Sequence, residues 1–412
     1  MNRKLPMNTT LPNKNLIILI LGILTTVTPF SIDMYLPAFG DIAKDLHTTT
    51  ATLSLSISSY FIGLAAGQLF YGPLLDRFGR RKPLYVGLTI FMLASVGCVF
   101  AQSVEQLIAF RFLQALGGCS AQVGSMTMVR DFFPPKEIAK VISLLILVLS
   151  VSPLLAPSIG GLLASSLGWQ SIFMALILIV IAVITIIFFY LPKGYQADPT
   201  VSLRFGSIIY NYFQILKEPR FHTYALAGAL SMTGLFVYIA ASPIIFMDVF
   251  KVSKTTYGII FALLSIGFIG ASQINAFLSK RAASNHIFQT ALIAQVVIAA
   301  LFLIGTMNNW YDLYLTFGFI FFLLACLGFT YPNAAAIALT PFTRNIGSAS
   351  ALIGFLQIGI ASVVSSGIGF LASSNKILPA AILMASMPFM GFIILMVGKR
   401  NIPKDTAPIL NK

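Results

Sequence analysis

Twelve apolar runs of about 20 residues follow one another along this chain, each long enough to cross ~30 Å of hydrocarbon as a helix. They cover approximately residues 16–39, 52–71, 83–101, 106–129, 139–163, 169–191, 222–246, 256–279, 286–306, 311–337, 347–371 and 377–397. Lipid offers backbone N–H and C=O groups no partner, so a chain of this pattern must fold as helices that satisfy themselves. A soluble alternative is excluded by composition: 58% of residues are hydrophobic and 9% charged, where a soluble domain carries about 25% charged.

Charge sets the expected orientation. With the N-terminus inside, 21 of the 26 Lys and Arg residues fall in tails and inner loops, 4 fall in outer loops, and the remaining one is Arg111. That asymmetry obeys the positive-inside rule and puts both termini in the cytoplasm. The net charge of +14 therefore reflects topology and contact with anionic lipid, and no nucleic-acid partner is expected. No cleavable signal peptide is evident. Cys98, Cys119 and Cys326 stand singly in apolar runs, without metal or redox spacing, and read as small buried side chains.

The connections are short except in the middle. The expected organisation is a six-helix bundle over 1–191, a linker over 192–221 and a second bundle over 222–412. Within the linker, Phe205, Ile208, Ile209, Tyr212, Phe213, Ile215 and Leu216 recur at helical spacing. They predict an amphipathic helix on the inner membrane face, equally readable as a tether or as a regulatory element. Gly72-x3-Asp76-Arg77 after the second run recurs faintly as Asn275-x3-Ser279-Lys280 after the eighth. Six plus six spans with an internal repeat is a transporter architecture. The predicted fold class is an all-α membrane protein of twelve helices in two pseudo-symmetric six-helix bundles.

Only two formal charges sit well inside the apolar runs, Asp33 in the first and Arg111 in the fourth. Such groups are costly in a bilayer, usually face an internal cavity and usually have a partner. Asp33 lies eight residues before Asp41, and Arg111 eight after Ser103. At 1.5 Å per residue each is then about 12 Å from the outer edge. Matching depth and opposite sign predict a contact, with Gln114 one turn from Arg111 placed to hydrogen-bond the carboxyl. Burial and a nearby guanidinium pull a carboxyl's proton affinity in opposite senses, so the group suits a proton carrier. The competing reading is a permanent ion pair between two helices.

The segment Gly72-Pro-Leu-Leu-Asp76-Arg77-Phe-Gly79-Arg80-Arg81-Lys82 sets one acid among four cations. Its proline and glycines predict a sharp helix end. Asp76 there can accept from the N-terminus of the eleventh helix near Gly347 and latch the two halves together. The bland alternative is a basic anchor. In the fifth run, Pro153 and Pro157 each remove a backbone donor and predict a bend, while Gly160 and Gly161 allow close approach of a neighbour. A seal between halves is the functional reading, and plain packing the structural one. Gly63-x3-Gly67 reads as helix packing.

The 72–82 segment resembles the loop between helices 2 and 3 of the major facilitator superfamily. Arg111-Phe-Leu-Gln114-Ala-Leu-Gly117-Gly118 resembles that superfamily's arginine motif, with Ala115 where a glycine is usual. Asp131 sits where the family places a partner for the loop cations. Ser152-Pro153-Leu-Leu-Ala156-Pro157-Ser-Ile-Gly160-Gly161 resembles its antiporter motif, with Ala156 replacing a glycine. Ser31-Ile-Asp33-Met-Tyr35-Leu-Pro37, Ser152 to Pro157, and Tyr331-Pro332-Asn333 continuing through Gly347–Leu352 to Gln357 are similar to the bicyclomycin-resistance (Bcr/CflA) group of drug:proton antiporters. The resemblance implies a multi-pass protein of the bacterial inner membrane that exports small drugs in exchange for protons. A monomer powered by the proton gradient, without cofactor, is expected.

Polar residues inside spans supply the expected substrate cavity: Tyr35, Tyr60, Gln122, Tyr238, Tyr331, Asn333 and Gln357. Asn333 and Gln357 are the strongest of these, since amides in spans need partners. The chain has no phosphate loop, no HExxH and no Gly-x-Ser-x-Gly elbow, so an enzyme is not expected, and no filter-like loop suggests a channel. Export of a native metabolite, amino-acid derivative or siderophore stays open beside drug export.

Overall fold

The computed structural model describes residues 14–191, 197, 205–310, 312–342, 346–370 and 376–402. Its helices are α1 Lys14–Asp33, α2 Phe39–Asp45, α3 Thr50–Phe78, α4 Arg81–Val99, α5 Val104–Phe132, α6 Pro135–Leu167, α7 Gln170–Tyr190, α8 Phe205–Leu216, α9 Pro219–Pro243, α10 Lys254–Leu278, α11 Ser284–Met307, α12 Leu313–Leu339, α13 Ile346–Phe370 and α14 Leu378–Arg400. All but α2 and α8 are long enough to span a bilayer. Ten of the twelve are also apolar enough, with α1 counted together with α2. α6 contributes the shorter apolar stretch Ser152–Leu167. α5 falls out because Arg111, Gln114 and Gln122 dilute its apolar character.

Helix ends follow local chemistry. Four of the helices that start at the face opposite the chain termini, α3, α5, α10 and α12, carry side-chain caps. Thr49 accepts from Thr52 N at 3.0 Å, Ser103 from Gln106 N at 3.3 Å, Ser253 from Thr256 N at 3.1 Å and Asp312 from Leu315 N at 2.7 Å. At the terminal face α6 and α9 instead open with Pro135 and Pro219, whose missing N–H would have no partner there anyway. α3 and α6 stop at Gly79 and Gly168, both left-handed at φ 80° and 82°, a conformation that excludes most side chains.

One sequence expectation needs correction here. Gly72 and Pro73 do not end the second span: α3 runs through both to Phe78, and Gly79 is the stop. One lost donor near the end of a 29-residue helix does not break it when neighbouring helices support the backbone. α6 carries Pro153 and Pro157 inside one continuous helix.

Small residues set the packing, and the same pattern appears in both halves. A Cβ added at Gly63 of α3 would strike the Phe112 carbonyl and the Ala115 methyl of α5. In the second half, one at Gly267 of α10 would meet the Phe321 ring, and one at Gly328 of α12 would meet the Phe268 carbonyl. The repeat therefore survives in backbone approach where its polar residues have diverged. α8 lies under the second half, with Tyr212, Ile215 and Leu216 packed on its core and Tyr210 and Phe213 exposed.

The halves meet along two helix pairs, α3 with α13 and α6 with α10. Ser58 and Ser365 hydrogen-bond at 3.0 Å across the first seam, and Gln68 lies against Gly354 further along it. At the face opposite the termini, Lys254 pairs with Asp41 and Thr50 donates to Asp248. Because the ion pair is partly exposed, it contributes about 1 kcal/mol at most. Lys254→Glu, which sets acid against acid, is expected to favour opening of this face by about fivefold. The check is a rise in labelling rate of Ser158→Cys, at the α6–α10 seam; the three native cysteines are buried.

Candidate functional site

The site is built on a break in α1. Met34 N still donates to Phe30 O at 3.1 Å, but Tyr35 N steps back to Ile32 O at 3.3 Å, and Leu36–Ala38 continue as a 3₁₀ turn with Pro37 inside. The carbonyl of Ser31 thereby loses its helical partner. Arg111 takes it up. One guanidinium nitrogen, Nη1, donates to Ser31 O at 3.1 Å, to Ser31 Oγ at 2.9 Å and to Gln114 Oε1 at 2.5 Å. Gln114 in turn donates to Ser95 Oγ at 2.7 Å. Arg111 and Gln114 are fully buried, and the network ties α1, α4 and α5 together.

Aromatic rings complete the surroundings of the charge. The Arg111 guanidinium carbon lies 4.2 Å from the Tyr60 ring centroid, 4.6 Å from that of Tyr35 and 6.0 Å from that of Phe173. Such rings stabilise a desolvated cation by up to about 2 kcal/mol each. Tyr35 is held by a 2.9 Å hydrogen bond with Ser56. Two nitrogens of Arg111, Nε and Nη2, are buried without a hydrogen-bond partner among the described residues.

The expected contact between Asp33 and Arg111 is not made: among the described residues no ion pair joins them, and Gln114 serves Arg111 and Ser95 rather than the carboxyl. The reason is helical phase. Ser31, which meets Arg111, is two residues from Asp33, and two residues turn about 200° around a helix. Depth matched while direction did not. The Asp33 carboxyl lies within electrostatic reach of two hydroxyls of the second half, those of Tyr238 and Tyr257. It is 5% exposed and has no hydrogen-bond or ion-pair partner among the described residues. Tyr238 stacks on Phe261 at 5.5 Å, and Tyr257 is hydrogen-bonded to Ser242 at 2.8 Å.

At the terminal face Arg80 clamps two acids. Its Nε and Nη2 reach the two carboxylate oxygens of Asp131 at 2.6 and 3.2 Å, and its Nη1 reaches Asp76 at 2.8 Å. Burial works against this charge, but the hydrogen bonds and charges of Asp131 and Asp76 outweigh it and hold Arg80 above its usual range. Asp131 is nearly enclosed while the Asp76 side chain is half exposed. Asp131→Asn is therefore expected to cost about 1.5–3 kcal/mol, and Asp76→Asn less than about 1 kcal/mol. Thermal unfolding of the purified protein in detergent checks the ranking. Arg77 lies 5.8 Å from the Phe78 ring centroid, Arg81 is half-buried, and Gly72 has open space around it. The helix end expected to receive Asp76 adjoins residues 343–345, and the side chain at 347 lies outside the described residues.

The expected cavity residues divide. Tyr35 and Tyr60 are committed to Arg111. Tyr238 lies within electrostatic reach of Asp33, and its hydroxyl has no hydrogen-bond partner among the described residues. Gln122 is half-buried with its carbonyl oxygen unpartnered. Asn333 is not free: it donates to Asn275 at 2.6 Å and to Phe329 O at 2.8 Å, joining α12 to α10. Gln357 is buried near the α3–α13 seam, while Tyr331 is 39% exposed. Pro157, Gly160 and Gly161 are buried in α6, and Pro153 is half-buried. Sequence reasoning missed Ser31, Ser95 and Tyr257. It also missed the second half's Ser231–Gln295–Thr330 network, joined at 2.6 and 2.8 Å. The available signals were the one-faced spacing of Thr28, Ser31 and Tyr35, and an amide, Gln295, within the apolar stretch 291–305.

Comparison with known proteins gives consistent matches. Residues 21–366 match the family model described as Major Facilitator Superfamily. The chain is 30% identical over 388 residues to "Uncharacterized MFS-type transporter YdgK" of Bacillus subtilis, covering 93% of this chain and 96% of that one. It is 30% identical over 376 residues to "Bicyclomycin resistance protein homolog" of Haemophilus influenzae, covering 90% and 92%. Among solved structures, a D-xylose-proton symporter superposes with TM-score 0.76 at 13% identity, over 95% of this chain and 98% of that one, a likeness of fold alone.

Proposed function

Because the chain belongs to the Major Facilitator Superfamily and is a membrane-embedded secondary transporter rather than an enzyme, we propose that it exports small drugs, antibiotics among them, in exchange for protons by alternating access. The observation that carries this reading is Asp33: a buried carboxyl, without a counter-charge, at a helix break between the two halves. A carboxylate without a counter-charge is costly away from water and is stable there as the neutral acid. When the proton leaves, the new charge must find water or a cation. Arg111 lies on the far side of the same helix turn with two unused donors. Loading and unloading one proton then changes what the α1 break can pack against, which couples titration to movement of the halves.

The remaining features agree with this reading. The positive-inside asymmetry puts the termini in the cytoplasm of a bacterial inner-membrane protein, so the seam closed by Lys254–Asp41 is the outer one. The α3–α13 seam pairs Ser58 with Ser365 and Gln68 with Gly354. Extending that antiparallel register by eight residues sets Asp76 against the start of α13, which supports the latch reading. Residues 192–221 then tether the bundles 1–191 and 222–412 as the halves rock. A drug cargo is supported by the name of the Haemophilus relative.

Energetics suffice. A proton moving down 100 mV and one pH unit releases about 3.7 kcal/mol, enough to drive a few hundredfold gradient of a neutral solute. The test is transport in proteoliposomes with an imposed pH gradient, using bicyclomycin and a panel of unrelated antibiotics. Uphill drug movement coupled to proton counterflow is expected. Movement indifferent to collapse of the gradient would reject the antiport. A panel that is not moved, beside metabolite release that falls in a deletion strain, would move the cargo to a native compound.

A further inference from the structure

α6 packs along α1 and the turn that follows it, and at Gly160 it meets the residue after Asp33 backbone on backbone. A Cβ built on Gly160 would fall on the Met34 carbonyl, with the Met34 Cα only 2.7 Å away. Neither group can yield: Met34 is the residue that follows Asp33, and its position is fixed by its own hydrogen bond to Phe30 O. The next glycine differs. A Cβ on Gly161 would find Lys254 and Pro37 side chains at 3.6 Å, ordinary contact distance. Two adjacent glycines therefore carry different constraints: the first meets the backbone beside Asp33 with no room for a side chain, and the second meets side chains, Pro37 of the 3₁₀ turn among them, with room to spare. Along α1 and α6 the same parallel register brings Gly22 against Val148 lower down. The contact at Met34 is thus the upper end of a continuous helix–helix seam.

The turn is held from its opposite side by Arg111, which caps the Ser31 carbonyl. Between that cap and the Gly160 contact lie Ile32 and Asp33. A shift of the Met34 backbone would rotate the last helical turn against a fixed Ser31. The direction in which the Asp33 carboxyl leaves the helix would change, and with it the distance to the groups it meets.

We propose that Gly160 is a positioning residue for Asp33: by lacking a side chain it lets the α6 backbone bear on the Met34 carbonyl, and this contact sets the direction in which the carboxyl points into the space between the halves. The inference rests on the reading of Asp33 as the proton carrier. The titratable groups around the turn are Tyr238 of α9 and Tyr257 of α10 on the carboxyl side. Arg111 of α5, Tyr60 of α3 and Tyr35, which follows α1, lie on the other. Lys254 at the start of α10 is paired with Asp41. The stretch Ser152–Leu167 of α6 supplies no titratable side chain, so its effect on Asp33 must pass through geometry.

The experiment follows the infrared band of a protonated carboxyl in the purified full chain, identified as the band that Asp33→Asn removes, through a pH titration. Gly160→Ala is expected to move the midpoint by about one pH unit, a tenfold change in proton affinity. Gly161→Ala is expected to leave it in place. Should Gly160→Ala fail to accumulate in the membrane, Met34→Gly loosens the same turn from the α1 side without adding an atom, and the same shift is expected. An unmoved midpoint in Gly160→Ala, or in Met34→Gly when it stands in, overturns the inference while leaving the carrier reading intact. An equal shift in Gly161→Ala also overturns it, since the effect would then belong to α6 in general. A wild-type band that does not titrate at all overturns the carrier reading instead.

Discussion

Asp33→Asn is expected to reduce the drug gradient held against a proton gradient from a few hundredfold to unity, while the protein inserts and purifies as before. The amide keeps the size of the side chain and resembles the neutral acid, so packing at the α1 break is retained. What it removes is titration. Without a group that exchanges its proton, about 3.7 kcal/mol of proton free energy has no route into movement of the halves. Downhill exchange of drug for drug should persist, because the amide mimics one of the two protonation states. The measurement is counterflow in proteoliposomes with and without a pH gradient, wild type beside variant. Uphill transport that survives the substitution removes Asp33 from the mechanism.

Arg111→Ala is expected to destabilise the protein by about 3–5 kcal/mol and to abolish transport. Truncation empties a large, fully buried volume. It also leaves the Ser31 carbonyl and Gln114 without their donor, at about 1–3 kcal/mol for each buried group left unsatisfied. Arg111→Lys keeps the charge but not the planar fork that stacks between Tyr35 and Tyr60, and should lie between. The discriminating measurement is thermal unfolding of the double variant Asp33→Asn/Arg111→Ala. If the acid and base were a direct pair, removing the acid would rescue the loss of the base. In the arrangement found here, where Arg111 caps a backbone carbonyl, the double variant is no more stable than Arg111→Ala alone. Recovery of 2 kcal/mol or more would restore the ion-pair reading.

Much of the architecture was legible because lipid leaves a chain few choices. Apolar length gave the twelve long helices, and composition excluded a soluble fold. Errors arose where several weak local signals competed. Gly72 and Pro73 look like a helix stop, yet α3 passes through them, since one missing N–H matters little against the packing of α3 on α5 and α13. Asn333 stands out in the sequence as an amide needing a partner, with the cavity as its expected place. That the partner is Asn275, in the faint repeat of the 72–77 segment, required two helices distant in sequence to be brought together.

The sequence alone determined how deep each charge lies, because rise per residue is a property of one helix. It determined that the chain crosses a membrane many times with a strong basic asymmetry. Only the tertiary structure decided which way the charges face. A helix turns 100° per residue, so Ser31 and Asp33 share a depth but not a neighbour. Which of them meets Arg111 depends on how α1 is rotated against α5. That rotation is set by packing among residues far apart along the chain, such as Gly118 against Thr28 and Gly160 against the Met34 carbonyl.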